Sequence, residues 1–112
     1  MAYTQRLLYE TIRSANTASA TAYLALGTPL AHASCLIKMV NLSNKDVLVS
    51  IDGVNAVDIC PAGGFWLYDV TSDSPKSSDI FVDKGRQYYV LTTDAAAGTG
   101  LVYLVVQYIL TN

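Results

Sequence analysis

From residue 23 onward the chain alternates short apolar runs with clusters of turn-forming residues, at roughly 8 to 12 positions per unit. The run Cys35-Leu-Ile-Lys-Met-Val-Asn41 is rich in β-formers, and Ser43-Asn44-Lys45 turns the chain into Asp46-Val-Leu-Val-Ser-Ile-Asp52. With a side-chain period of two, Val47, Val49 and Ile51 share one face, and the two runs are expected to pair antiparallel. Asp52-Gly53-Val54-Asn55 tolerates positive φ and reverses the chain before a strand over 56–59. Pro61-Ala62-Gly63-Gly64 ends that strand, because proline removes a donor and the glycines favour a turn. Further strands are predicted over 65–71, 79–82, 86–92 and 101–110, with a polar loop over 71–78 tipped by Asp73 to Lys76 and a hairpin loop over 94–100. The fold class that follows is all-β, an antiparallel β-sandwich or jelly-roll-like barrel of seven to nine short strands.

The last strand departs from simple alternation. Leu101, Tyr103, Val105 and Ile109 occupy one face and Val102, Leu104, Val106 and Tyr108 the other. A strand apolar on both sides is covered on both, by a second sheet and by a neighbour. At the other end, residues 3–12 carry Leu7, Leu8, Tyr9 and Ile12 among polar residues, and 11–21 are small and polar with little to bury. This divides the chain into an N-terminal arm and tether over 1–21 and one β-domain over 22–112. The arm, through Arg6, Leu7, Leu8, Tyr9 and Ile12, is expected to dock on another subunit.

Composition sharpens this picture. Hydrophobic residues make up 52% and charged residues 14%, against a usual charged share of about 25%, and the mean hydropathy is +0.32. So little charge on a small domain means either that surface is hidden against partners or that the chain lives in a dense assembly. A net charge of −2 supplies no basic field for phosphates, so no nucleic-acid partner is expected. The longest apolar run is about half the ~20 residues a spanning helix needs, and no membrane role is expected. Residues 1–10 lack the order of a secretory leader. Cys35 and Cys60 stand at neither a metal-ligand nor a Cys-x-x-Cys spacing, so two free buried thiols are expected.

Candidate chemistry is sparse. His32 is the only histidine, without an acidic or thiol partner near it in sequence, and reads as structural. Asp46, Asp52 and Asp58 recur every six residues without the closing glutamate of a calcium loop. Gly63-Gly64 and Gly98-Thr99-Gly100 precede neither a helix nor a Lys-Ser/Thr pair, so phosphate cradling is unsupported. No catalytic residue, metal or cofactor is expected, and the chain reads as a non-enzyme. Eight tyrosines and Trp66 fit a core, a protein interface or a sugar platform. Trp66, Tyr68, Tyr103 and Tyr108 join the arm residues as candidate interface positions.

Residues 33–71 carry Ile37-Lys38-Met39-Val40-Asn41, Ser43-Asn44, Asp46-Val47, Ser50-Ile51-Asp52-Gly53, Pro61-Ala62-Gly63 and Leu67-Tyr68-Asp69-Val70-Thr71. Phe81-Val82-Asp83-Lys84-Gly85, Gln87-Tyr88-Tyr89-Val90 and Gly100-Leu101-Val102-Tyr103 follow in order. This stretch, about two-thirds of the chain, resembles small accessory virion proteins of tailed bacteriophages. The resemblance implies a β-sandwich subunit, present in many copies, that decorates or cements the capsid or forms part of the head-to-tail neck or collar. It implies capsid or portal and neck proteins as partners alongside a homo-oligomer, and a place in the virion after assembly in the host cytoplasm. The alternative is a tail-associated receptor- or glycan-binding module, using Trp66, Tyr68 or the 73–76 tip.

Overall fold

A computed structural model of the chain describes residues 5–19, 22–69, 82, 84–94 and 98–111, without the side chains of residues 5, 6, 19, 110 and 111. Nine strands follow one another among these: β1 (Gln5–Tyr9), β2 (Arg13–Asn16), β3 (Leu24–Ala25), β4 (Leu36–Asn41), β5 (Val47–Ser50), β6 (Ala56–Cys60), β7 (Phe65–Asp69), β8 (Tyr89–Thr92) and β9 (Leu101–Thr111). They form two antiparallel sheets that pack as a β-sandwich. The larger runs β1-β9-β4-β7, with β2 also on β9, and the smaller β3-β8-β5-β6. Counting β1 and β2 as one interrupted strand, every connection but the β5–β6 hairpin crosses between sheets, which is the winding of a jelly roll.

Alternation along the strands builds the core. Ile37 and Met39 of β4 and Val102, Leu104 and Val106 of β9 face Val47 and Val49 of β5, Cys60 of β6 and Val90 of β8, all at most 1% exposed. Leu26, Leu30 and Tyr88 fill the ends of this core. Cys35 and Cys60 are buried and unbridged, and burial pushes both thiols up. A buried amide joins the two sheets. Asn41, fully buried at the end of β4, donates to the Lys45 and Cys60 carbonyls at 2.9 and 3.0 Å. Its Oδ1 accepts from the Ser43 N–H at 2.9 Å and the Ser43 hydroxyl at 2.6 Å. All four of its hydrogen-bonding positions are used, which is what a buried amide requires.

Several sequence expectations are corrected. Strands β4 and β5 do not pair: β4 lies between β7 and β9, and β5 between β6 and β8. Each has one apolar face, and the turn over 42–46, held by Asn41, turns those faces toward each other across the core. Ile51 leaves the Val47–Val49 face because the register shifts after Val49, and it is exposed in the turn. Residues 94–100 do not close a hairpin, since β8 and β9 belong to different sheets.

The largest correction concerns the arm and tether. Gln5–Tyr9 pairs with residues 107–111 of β9, and Arg13–Asn16 pairs with residues 101–104 of the same strand. The N-terminal segment is therefore an edge of its own sheet, because β9 is long enough to pair with β4 on one side and with β1 and β2 on the other. The small residues of the supposed tether build β2 and a single 3-10 turn over Thr17–Ser19. The loop over 71–78, its tip at 73–76, and most of the strand expected over 79–82 lie outside the described residues, apart from Val82, which bridges to Ser34.

Candidate functional site

Residues directly opposite in an antiparallel sheet point to the same side, so the register defines what the larger sheet shows to solvent. The inner side carries Ile37, Met39, Val102, Leu104 and Val106; the opposite parity faces out. One outward row runs Tyr103, Val40, Phe65, and the next Val105, Lys38, Leu67. Beyond them Gln107 and Leu36 lead to Tyr9, and then to the Leu7–Ile109 pair. Phe65 is 64% exposed, Leu67 47%, Leu7 55% and Tyr9 66%. At ~4.8 Å between strands and ~3.3 Å per residue this face covers on the order of 500 Å² in plan. Ser14, Lys38, Gln107 and Asp69 interrupt its apolar positions. Lys38 stands near its centre without an ion-pair partner among the described residues, and Asp69, opposite Leu36, shares the face one row away.

The sequence-predicted interface residues divide between two surfaces. Leu7, Tyr9 and Tyr103 lie on this outer face. Arg6 pairs through its backbone with Leu110. Leu8 and Tyr108 sit opposite each other on the other side of the β1–β9 ribbon. Ile12 is 56% exposed in the break between β1 and β2. Trp66 and Tyr68 are opposite Met39 and Ile37, so they point inward at the flank of the sandwich. Trp66 packs on the core beside Tyr68 and Tyr88, at ring separations of 4.8 and 6.4 Å. Tyr68 donates to Asp58 at 3.3 Å, and burial together with that carboxylate pushes its phenol up.

A second cluster was invisible in the sequence. Between the Tyr9–Gln107 and Arg13–Leu104 pairs, residues 10–12 oppose only residues 105 and 106, so one extra residue forms a bulge. Alternation from Tyr9 places Glu10, the only glutamate of the chain, on the inner side, and the bulge brings Arg13, three positions on, to that same side. The Glu10 side chain is 4% exposed and meets the Arg13 guanidinium at 2.7 Å and His32 Nδ1 at 2.7 Å. It also accepts from the Ala31 N–H at 3.2 Å. A carboxylate can only accept, so Nδ1 of His32 carries the proton. His32 stacks on Tyr108 with ring centroids 3.7 Å apart and planes 4° from parallel. Arg13 also donates to the carbonyls of Thr28, Pro29 and Thr11. Gly27, at φ +72°, leaves room for its stem, since a Cβ there would lie 2.6 Å from Arg13 Cβ.

Burial opposes the charge on Glu10, but the hydrogen bonds from His32, Arg13 and Ala31 together with the Arg13 charge outweigh it and hold the carboxyl below its usual range. The cluster borders a cleft of about 580 Å³ lined by Tyr9, Ile12, Thr28 and His32 among others. No described hydroxyl or thiol is hydrogen-bonded to the His32 ring; Ser34 Oγ donates instead to the His32 carbonyl. The arrangement pins the N-terminal edge to the segment over 27–32. Its one trace in the sequence is that the only glutamate and the only histidine are the pair. Among the described residues no three His, Cys, Asp or Glu side chains gather to hold a metal, and no helix is long and apolar enough to cross a membrane.

No family model matches the chain, and comparison with curated proteins and with solved structures found no match.

Proposed function

We propose that this chain is a non-enzymatic structural protein: a multi-copy accessory subunit of a tailed-phage virion that decorates or cements the capsid or forms part of the head-to-tail neck. The observation that carries a structural role is the outer face of the larger sheet, where Phe65, Leu67, Tyr9 and Leu7 stand exposed around Lys38, Gln107 and Asp69. Such a face stabilises an assembly by burying area between neighbours rather than by chemistry. The phage assignment rests on the resemblance over residues 33–71 and its continuation to 103. The jelly-roll winding is compatible with it, since viral capsid domains and lectins both use that fold. The inward placement of Trp66 favours the structural reading over glycan binding.

The test is retention on particles. Tagged chain produced with the phage that encodes it is expected to co-sediment with purified heads or necks. A Phe65→Glu, Leu67→Glu variant removes two side chains worth about 1.5–3 kcal/mol each at an interface, so retention falls by at least about a hundredfold. Wild-type chain that stays in the supernatant, or a variant retained equally well, refutes the proposal.

A further inference from the structure

The turn between β5 and β6 contains Asp52-Gly53, the one place in the chain where a glycine follows an acidic residue, and no asparagine precedes a glycine. This dipeptide carries its own chemistry. Glycine has no Cβ to shield its amide nitrogen, so that nitrogen can attack Cγ of the preceding aspartic acid. The carboxyl hydroxyl leaves as water with the N–H proton, and a five-membered succinimide closes. Water then opens the ring at either carbonyl. At Cγ it restores aspartate; at the main-chain carbonyl it leaves the chain running through Cβ, an isoaspartate with one extra main-chain methylene. Water departs and returns, so the step needs no oxidant, reductant or cofactor. We propose that Asp52 is a modification site of this kind, held shut in the folded chain by the Ser50 hydroxyl, which engages both the attacking nitrogen and the carboxyl it would attack. The inference is independent of what the chain assembles with.

Ser50 ends β5 and is fully buried. Its hydroxyl accepts from the Gly53 N–H at 2.9 Å and the Asp52 N–H at 3.2 Å, and it donates to Asp52 Oδ1 at 2.8 Å. A hydroxyl has one donor and two acceptor positions, so all are used. Oδ1 of Asp52 also accepts from the Val54 and Asn55 N–H groups, each at 2.8 Å, and Oδ2 accepts from Asn55 Nδ2 at 3.1 Å. Gly53 takes φ +78°, and a Cβ there would stand 3.4 Å from the Tyr89 ring. Tyr89 is opposite Ser50 in β8, so the sheet itself backs the turn.

Ring closure makes three demands that this turn opposes. The carboxyl must take its acid form, because its hydroxyl departs as water, whereas the hydrogen bonds from Asn55, Val54 and Ser50 favour the carboxylate and hold Asp52 well below the usual range. The carboxyl must swing toward the Gly53 nitrogen, whereas both its oxygens are tied to donors of the turn. The Gly53 nitrogen must give up its proton, whereas Ser50 Oγ holds that N–H. Solvent exposure gives no protection, since Asp52, Val54 and Asn55 are all exposed. The reaction therefore passes through an opening of the turn, and its rate follows the population of the opened form. Conversion would lengthen the main chain between Ser50 and Ala56, where the β5–β6 register already shifts.

The experiment ages the full chain at neutral pH, folded in buffer and unfolded in guanidinium chloride, beside Ser50→Ala and Asp52→Asn. Circular dichroism and thermal melting verify that the variants fold. Peptide mapping with electron-transfer fragmentation, and methyl transfer by an isoaspartyl methyltransferase, read isoaspartate at position 52. Folded wild type is expected to convert at least about tenfold more slowly than unfolded wild type. Folded Ser50→Ala is expected to convert at least about tenfold faster than folded wild type, since it loses a hydrogen bond to the attacking amide and one to the charged carboxylate. Asp52→Asn closes the same ring by losing ammonia and needs no acid form; it is expected to stay slow when folded, because Ser50 still holds the Gly53 N–H. Hydrogen exchange reads that hold directly, and the Gly53 amide of the wild type is expected to be protected. The proposal is overturned by a folded wild type that converts as fast as the unfolded chain, by a folded Ser50→Ala no faster than wild type, by an Asp52→Asn as fast folded as unfolded, or by a Gly53 amide that exchanges without protection.

Discussion

Replacing Glu10 by alanine isolates the cluster that fixes the N-terminal edge. The substitution removes the counter-charge of Arg13, whose side chain is only 7% exposed, and also the acceptor of His32 Nδ1–H and of the Ala31 N–H. Breaking a buried pair from one side costs about 3–5 kcal/mol, because a charge stays behind without its partner. Arg13 keeps the carbonyls of Thr28, Pro29 and Thr11, which places the cost near the lower end, ~3 kcal/mol. For 112 residues at ~2.1 cal/mol/K each, that loss lowers the melting temperature by roughly 13 °C. Thermal melting followed by circular dichroism reads the shift, and hydrogen exchange reads its location. Amides of β1 and β2 are expected to lose more protection than those of β4 and β5, which the substitution does not touch.

The same carboxyl ties stability to pH. Its folded value lies below the ordinary 4.5, so the folded state favours the ionised form. Its contribution is complete above the ordinary value and disappears as pH falls through the depressed one. Wild type should therefore exceed Glu10→Gln in melting temperature at pH 7 and converge with it in acid. Equal melting temperatures at pH 7, or a gap that widens toward acid, would sink the account of the cluster as a charge-stabilised clamp.

Asn41→Leu keeps the branched outline but leaves the Lys45 and Cys60 carbonyls and the Ser43 donors without the partner they have at the junction of the sheets. At about 1–3 kcal/mol per stranded buried group, partly relieved by water, a loss of at least ~2 kcal/mol is expected in urea unfolding, and a loss under ~1 kcal/mol would contradict it. Cys35 and Cys60 should resist alkylation in the folded protein, since both are buried and their thiols are pushed up. Titration after unfolding without reductant should then count two thiols, and a count of zero would mean a disulfide the fold does not contain.

The strands were legible in the chain because period-two alternation is a local property. Residues 36–41, 47–50 and 101–110 announce half-buried ribbons whatever they pair with. The two-sided apolarity of β9 was equally plain: the structure sets one side in the core and leaves Tyr103, Val105 and Ile109 half-buried on the outer face. Which ribbon lies beside which was not legible. The short turn between β4 and β5 reads the same for a hairpin as for a crossing, and only the burial of Asn41 against Cys60 across the core selects the crossing. The N-terminal residues looked like a free arm because a segment with few apolar side chains gains little by itself. Its partner, the spare edge of β9, lies about ninety positions away and exists only once the sheet has formed. Glu10 and His32, 22 residues apart, meet for the same reason: the pairing of β1 with β9 sets the carboxylate on the inner side, and a one-residue bulge brings Arg13 to it. Local alternation thus determined the elements and the apolar surfaces, and long-range pairing alone decided their order, the closed core and the ion pair that fastens its edge.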